Sequence, residues 1–161
     1  MKYTFTVIYL LFAIIGVEAQ TWVKLSNYKG FAVDDAVGFS IGTKAYVGTG
    51  TTDWWANQRD FYVFDVNLNT WVEIASLPFE KERQYATGFT NDSLGFVFGG
   101  VNGSTFFNDL WSYHPPTDSW TEMTSLPGHG RSGAANFVIN DTAYIIGGKT
   151  DSLFAIDEVW A

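Results

Sequence analysis

Three groups of residues have types and spacing from which chemistry could be built. Asp65, Asn67 and Asn69 alternate as oxygen ligands do at the start of a calcium-binding EF-hand loop. The sixth position is Thr70 where that loop needs glycine, and the twelfth is Ser76 where it needs a bidentate glutamate. The triplet therefore reads as a strand connector. His114 and His129 lie on separate stretches with no third metal ligand beside them, which suits solvated turn residues. The most distinctive set is aromatic and polar: Trp54 and Trp55, flanked by Asp53, Asn57, Gln58 and Arg59. Rings of this kind offer large contact area at small entropic cost, and the amides and guanidinium beside them can orient a ligand's polar groups.

Composition narrows what those residues can serve. The chain of 161 residues is 47% hydrophobic and 18% aromatic, enough for a packed core. Sixteen glycines against four prolines, with seven tryptophans and fourteen phenylalanines, favour many short strands joined by tight turns. The formal net charge of −8, with nine scattered Lys and Arg, argues against a nucleic-acid surface, which needs clustered cations. Cysteine is absent, so the segment holds no disulfide, thiolate metal site or cysteine nucleophile. No residue pattern calls for a cofactor or a metal.

The first nineteen residues read as an address. Lys2 supplies a positive start, Thr4 to Val17 is uncharged and largely apolar, and Val17-Glu18-Ala19 places small residues where a signal peptidase reads them. The apolar stretch falls short of the roughly 20 residues that span a bilayer. Residues 1–19 are thus expected to be a cleaved signal peptide, removed after Ala19, and residues 20–161 to work in a secreted or periplasmic setting without a membrane span.

The remaining chain repeats. Trp22, Trp71 and Trp120 are spaced by 49 residues, and Leu77-Pro78 recurs at the same interval as Leu126-Pro127. Arg83 precedes Gly99-Gly100 as Arg131 precedes Gly147-Gly148, and a degenerate earlier copy ends in Gly48-Thr49-Gly50. Phe39, Phe89 and Phe137 each stand eleven residues before the last glycine of their copy. The repeats run over about 22–70, 71–119 and 120–161, the last incomplete. Each reads as four short strands: Tyr85 to Thr90, Gly95 to Phe98, Asp109 to Tyr113, and Trp120 through Met123, with Asp60 to Asp65 and Trp71 to Ile74 as equivalents one copy earlier. A unit of this size cannot bury both faces alone, and radial stacking of units solves that problem.

The glycine doublets, the aromatic of strand three (Phe64, Tyr113) and the tryptophan opening strand four resemble the Kelch repeat, as do Asn108-Asp109-Leu110-Trp111-Ser112-Tyr113 and Asp157-Glu158-Val159-Trp160. The resemblance covers nearly all of residues 20–161. It implies an all-β, Kelch-type β-propeller of four-stranded antiparallel blades, with the repeat tryptophans in the core. In phase, Thr21 to Leu25 is expected to be a fourth strand and the stretch before Ala161 a third strand, so that the first would complete the last blade. About 2.9 repeats are present where propellers use four to eight blades. The chain is thus expected to be part of a longer propeller, with two copies closing six blades as the other possibility.

Fold alone does not settle activity. The resemblance implies partner binding across one loop face. Connections from strand two to three, and from strand four to the next strand one, should emerge there together. They would present Asp53, Trp54, Trp55, Asn57, Gln58 and Arg59, then Asn102, Phe106 and Phe107, then Arg83, Gln84 and Tyr85, and finally Arg131 and Ser132. The ligand candidates are Trp54, Trp55, Asn57, Arg59, Arg83, Tyr85, Phe107 and Arg131, for a protein or glycan partner. For Arg83 and Arg131 the in-register recurrence also fits a structural bond between blades. The alternative is a sugar-active enzyme resembling the periplasmic Kelch proteins that interconvert sialic-acid forms; that resemblance implies acid–base pairs of Glu, His or Arg in a central pocket, to which Glu80, Glu82 and Arg83 could contribute. A galactose-oxidase-like copper site would need a cysteine-modified tyrosine, and Thr117-Asp118-Ser119-Trp120 lacks the glycine and spacing of a sialidase turn. Three sequons, at Asn91, Asn102 and Asn140, read as turn chemistry.

Overall fold

The computed structural model describes residues 21–161; the expected signal peptide lies outside the described residues. Strands form where the sequence alternates apolar with small or polar residues, so that one face is buried. The first part of the chain runs β1 (Val33–Asp34), β2 (Val37–Ile41), β3 (Lys44–Gly48), β4 (Thr51–Thr52), β5 (Phe61–Asp65) and β6 (Thr70–Ile74). There follow β7 (Thr87–Thr90), β8 (Gly95–Phe98), β9 (Val101–Asn102), β10 (Thr105–Phe106), β11 (Leu110–His114) and β12 (Ser119–Met123). The last part gives β13 (Ala135–Ile139), β14 (Thr142–Ile146) and β15 (Val159–Trp160).

The larger sheets are three antiparallel blades. Blade 1 has the order β2-β3-β5-β6, blade 2 the order β7-β8-β11-β12, and blade 3 holds β13-β14-β15. The landmarks of the sequence repeat occupy equivalent register positions: Phe39 faces Tyr46, Phe89 faces Phe96, and Phe137 faces Tyr144, each ring pair stacked. Phe64 faces Trp71, as Tyr113 faces Trp120. The all-β, incomplete Kelch-type propeller expected from the sequence is the architecture found.

The core lies mainly between blades 1 and 2, around Val37, Phe39, Tyr46, Phe61, Leu77, Val97, Trp111 and Tyr113. Trp120 packs against that cluster, 4.7 Å from the Phe61 ring and 5.0 Å from Tyr113, and donates its indole N–H to the Ala75 carbonyl at 2.7 Å. Gly95 makes room for this interface, since a Cβ there would lie 2.0 Å from the Phe39 ring of the neighbouring blade. Trp71 repeats the arrangement at the edge of the core, packing on Tyr28 and Phe64 and donating to the Ser26 carbonyl at 3.3 Å.

The connectors follow turn chemistry. Asp65 Oδ1 accepts from the backbone N–H groups of Asn67 and Leu68, and Asn91 Oδ1 from those of Ser93 and Leu94. The EF-hand mimic and the first sequon are thus side chains that close hairpins. Strand one of blade 2 begins at Thr87, two residues later than the sequence suggests, because Tyr85 takes φ +55 and leaves the extended region.

One expectation fails. Thr21 to Leu25 forms no strand, and Trp22 is fully exposed and not core. A fourth strand exists only by pairing with a third, and among the described residues no strand lies beside this segment. Docking begins at Ser26, whose N–H meets Asn69 Oδ1 at 2.9 Å, as the Ala75 N–H meets Asp118 Oδ1 at 2.8 Å one repeat later.

Candidate loop-face site

The connections from strand two to three and from strand four to the next strand one are laced together. The pairs β1–β4, Gln58–Arg83, Gln84–Val101 and Ser132–Lys149 join them with antiparallel backbone bridges. This weave makes one continuous face and sets which side chains it can present.

Trp54 and Trp55 crown a tight turn. Thr52 and Ala56 close it, with the Thr52 N–H on the Ala56 carbonyl and the Ala56 N–H on Thr52 Oγ1, both at 3.1 Å. Trp55 takes φ +63, and the two side chains stand 59% and 84% exposed. The Trp54 ring meets Phe31 edge-on at 5.6 Å, so three exposed rings share this corner. Asn57 reaches into the next blade, donating to Asn102 Oδ1 at 2.9 Å, while its own Oδ1 is buried without a partner. Arg59 is half-buried; it donates to the Leu77 carbonyl at 2.6 Å and pairs with Glu82 at 3.4 Å.

Arg83 and Arg131 do not face solvent. Arg83 is 0% exposed; its Nη1 and Nη2 bond Asp109 Oδ1 and Oδ2 at 2.7 and 3.0 Å, and Nη1 also meets the Gly99 carbonyl at 2.8 Å. Its guanidinium lies 4.2 Å over Phe107, which is therefore its half-buried platform. Arg131 is 1% exposed and pairs with Glu158 at 2.7 Å. Both arginines strap adjacent blades together. The backbone of Arg83 bonds Gly50 and Gln58 of blade 1 while its side chain holds blade 2. The backbone of Arg131 bonds Gly100 and Phe107 of blade 2 while its side chain holds blade 3. Burial alone would raise the Asp109 carboxyl, but the hydrogen bonds and charge of Arg83, with Trp111 and Lys81, hold it below its ordinary value.

Tyr85 is presented, at 47% exposure. A hydrogen bond to Asp35, and that carboxylate's charge, push its phenol pKa up. With Ser132, Gly133, Gly148, Lys149 and Phe154 it lines an open depression of about 470 Å³. A second, of about 300 Å³, lies between Ala32, Val33, Asp34 and the Thr51–Trp55 turn. Sequence reasoning missed Phe31, Asp35, Lys149 and Phe154. Phe154 had a signal, an aromatic in the strand-two-to-three connection of its copy; the others depended on knowing how the loops lace. His129 stands exposed beside Asp151, and among the described residues no group of three or more His, Asp or Glu could hold a metal ion.

Repeated four-stranded blades, glycine turns and arginine straps define the class: a segment of a β-propeller. The family model described as the KLHDC2/KLHL20/DRC7 Kelch-repeats domain matches residues 11–161, and the chain belongs to this Kelch-repeat family. It is similar to the N-acetylneuraminate epimerase of Shigella sonnei (strain Ss046), with 32% identity over 133 residues, 73% of this chain and 34% of that protein. The N-acetylneuraminate epimerase 2 of Escherichia coli O6:H1 (strain CFT073) is 28% identical over 167 residues, 96% of this chain and 41% of its own length. The solved structure of YjhT superposes with a TM-score of 0.63 at 29% identity, covering 72% of this chain and 34% of that one. The chain thus spans a third to two fifths of these relatives.

Proposed function

We propose that the laced loop face is a sugar-binding surface of a propeller that works outside the cytoplasm. The observation that carries this reading is the clustering of exposed rings, Phe31, Trp54 and Trp55, on the laced loop face. Sugar rings present apolar C–H faces that stack on indoles, and hydroxyls that need fixed polar partners. Tyr85, Ser132 and Lys149 supply such partners in the neighbouring depression, where the Lys149 ammonium suits an acidic sugar such as the one in the relatives' names. Arg83 and Arg131 belong to the scaffold in this reading.

A second reading, catalysis on the bound sugar, draws on the similarity to epimerases and on the exposed Tyr85 phenol held beside the Asp35 carboxylate. Of the residues the sequence offered for that role, Glu82 is engaged by Arg59 and Arg83 is enclosed.

Calorimetric titration of the full chain with N-acetylneuraminate and with a neutral N-acetylated sugar tests the proposal. Replacing Trp54 and Trp55 together by alanine should weaken binding at least about tenfold with the Tm nearly unchanged, since both rings are exposed. Unchanged affinity would remove them from the site, and affinity for a protein partner alone would overturn the sugar reading. Epimer exchange followed by NMR, lost in Tyr85→Phe with binding retained, would favour catalysis.

A further inference from the structure

One position recurs at the entrance to each blade and is filled differently each time. Asp35, Tyr85 and Gly133 stand two residues before β2, β7 and β13, and four before Phe39, Phe89 and Phe137. All three take left-handed backbone, at φ +52, +55 and +63. They are tied from blade to blade: the Tyr85 N–H meets the Asp35 carbonyl at 3.2 Å, and the Gly133 N–H meets the Tyr85 carbonyl at 2.9 Å. Left-handed backbone is costly for a tyrosine, and such strain is retained where the side chain it presents is of use.

Glycine at position 133 answers neither to the backbone nor to packing. Asp35 and Tyr85 carry side chains in the same conformation, so the bend does not demand glycine. A Cβ on Gly133 would meet nothing within 4 Å. The turn glycines nearby differ: a Cβ on Gly50 would lie 2.4 Å from the Asp34 carbonyl oxygen, and one on Gly100 2.9 Å from that of Gln84. What the missing side chain does is leave space. The Tyr85 side chain turns back to Asp35 of the preceding blade, and a side chain at position 133 would turn back in the same way, over Tyr85. In its place lies the depression of about 470 Å³ that Tyr85, Ser132, Gly133 and Lys149 line.

We propose that Gly133 determines which sugars the loop face accepts, because the side chain it lacks is what admits a bulky acidic ring against Tyr85. In the sugar-binding reading, on which this rests, Gly133 sets the size of the ligand. N-acetylneuraminate then lies with its apolar side on the exposed Tyr85 ring and its carboxylate toward the Lys149 ammonium. N-acetylglucosamine, without the carboxylate and the polyhydroxyl tail, needs less of that room.

Calorimetric titration of the full chain with both sugars, before and after Gly133→Asn, tests this. Asparagine tolerates left-handed backbone and is uncharged, so the variant fills the space without straining the bend or repelling an acid. Affinity for N-acetylneuraminate should fall at least about tenfold, and that for N-acetylglucosamine clearly less, with the Tm nearly unchanged. Unchanged affinity for N-acetylneuraminate overturns the proposal and leaves the sugar reading standing. Equal losses for both sugars do the same, since a general disturbance of the face acts on both. A fall in Tm in this variant and also in Gly133→Asp, the residue blade 1 carries at this place, makes the glycine structural and overturns the proposal too. An unaltered chain that binds neither sugar overturns the sugar reading, and this inference with it.

Discussion

Arg83 gives its backbone to blade 1 and its guanidinium to blade 2, and Arg131 repeats the arrangement one blade on. Blade 1 has Asp60 at the position of Asp109, but no arginine precedes its first strand; Asp60 accepts instead from the Ser76 hydroxyl at 3.0 Å. Arg83→Ala should destabilise the chain by roughly 3–5 kcal/mol in denaturant melts, because it strands the mostly buried Asp109 carboxylate. The pair also makes stability depend on acid. With its folded pKa below the ordinary 3.8, Asp109 stabilises fully above that value, and the contribution is lost as pH falls through it and on below the folded pKa. Thermal melts between about pH 5 and 2 should show a shallower acid decline in Asp109→Asn than in the unaltered chain. The recurrence of arginine before each doublet was legible in the sequence. Its enclosure was not, because exposure depends on where Phe107 and the following blade lie.

At the scale of elements, the aromatic cross-strand pairs decide how well each blade is held. Trp120 joins the core cluster, whereas Trp71 packs on Tyr28 and Phe64 outside it. Trp120→Ala should therefore cost roughly 3–5 kcal/mol in denaturant melts, and Trp71→Ala clearly less, although the sequence makes them equivalents. Equal losses would mean that the segment around Tyr28 is as firmly packed as the interface between blades 1 and 2. Strand positions were readable to within about two residues from apolar alternation and Asn/Asp turns. Thr21–Leu25 was misread as a formed strand for a physical reason: its pattern is that of a strand, but pairing needs an edge beside it.

For the whole molecule, the address and the loop face are separate matters. If residues 1–19 are a cleaved signal peptide, as their sequence proposes, secreted material should begin at Gln20 or within two or three residues of it. N-terminal sequencing that returns Met1 would refute export by cleavage. The face itself assembles from segments far apart in the chain: Phe31 meets Trp54, Asn57 meets Asn102, and Tyr85 meets Asp35. The first two pairs do not follow the repeat, while Tyr85 and Asp35 stand at equivalent positions of successive copies, four residues before Phe89 and Phe39; the repeat could place the loops on one side without saying which side chains touch.

Period and residue type were enough to determine the Kelch blades, the antiparallel strands within them and the turns between them. Those features rest on local alternation, on glycine and Asx backbone preferences, and on landmarks that recur in register. Tertiary structure decided, between the two readings the repeat allowed, that Arg83 and Arg131 are straps, and that Trp54 and Trp55 remain in solvent. The physical reason is that burial is a property of neighbouring blades. The same arginine or tryptophan is scaffold where another blade covers it and surface where none does.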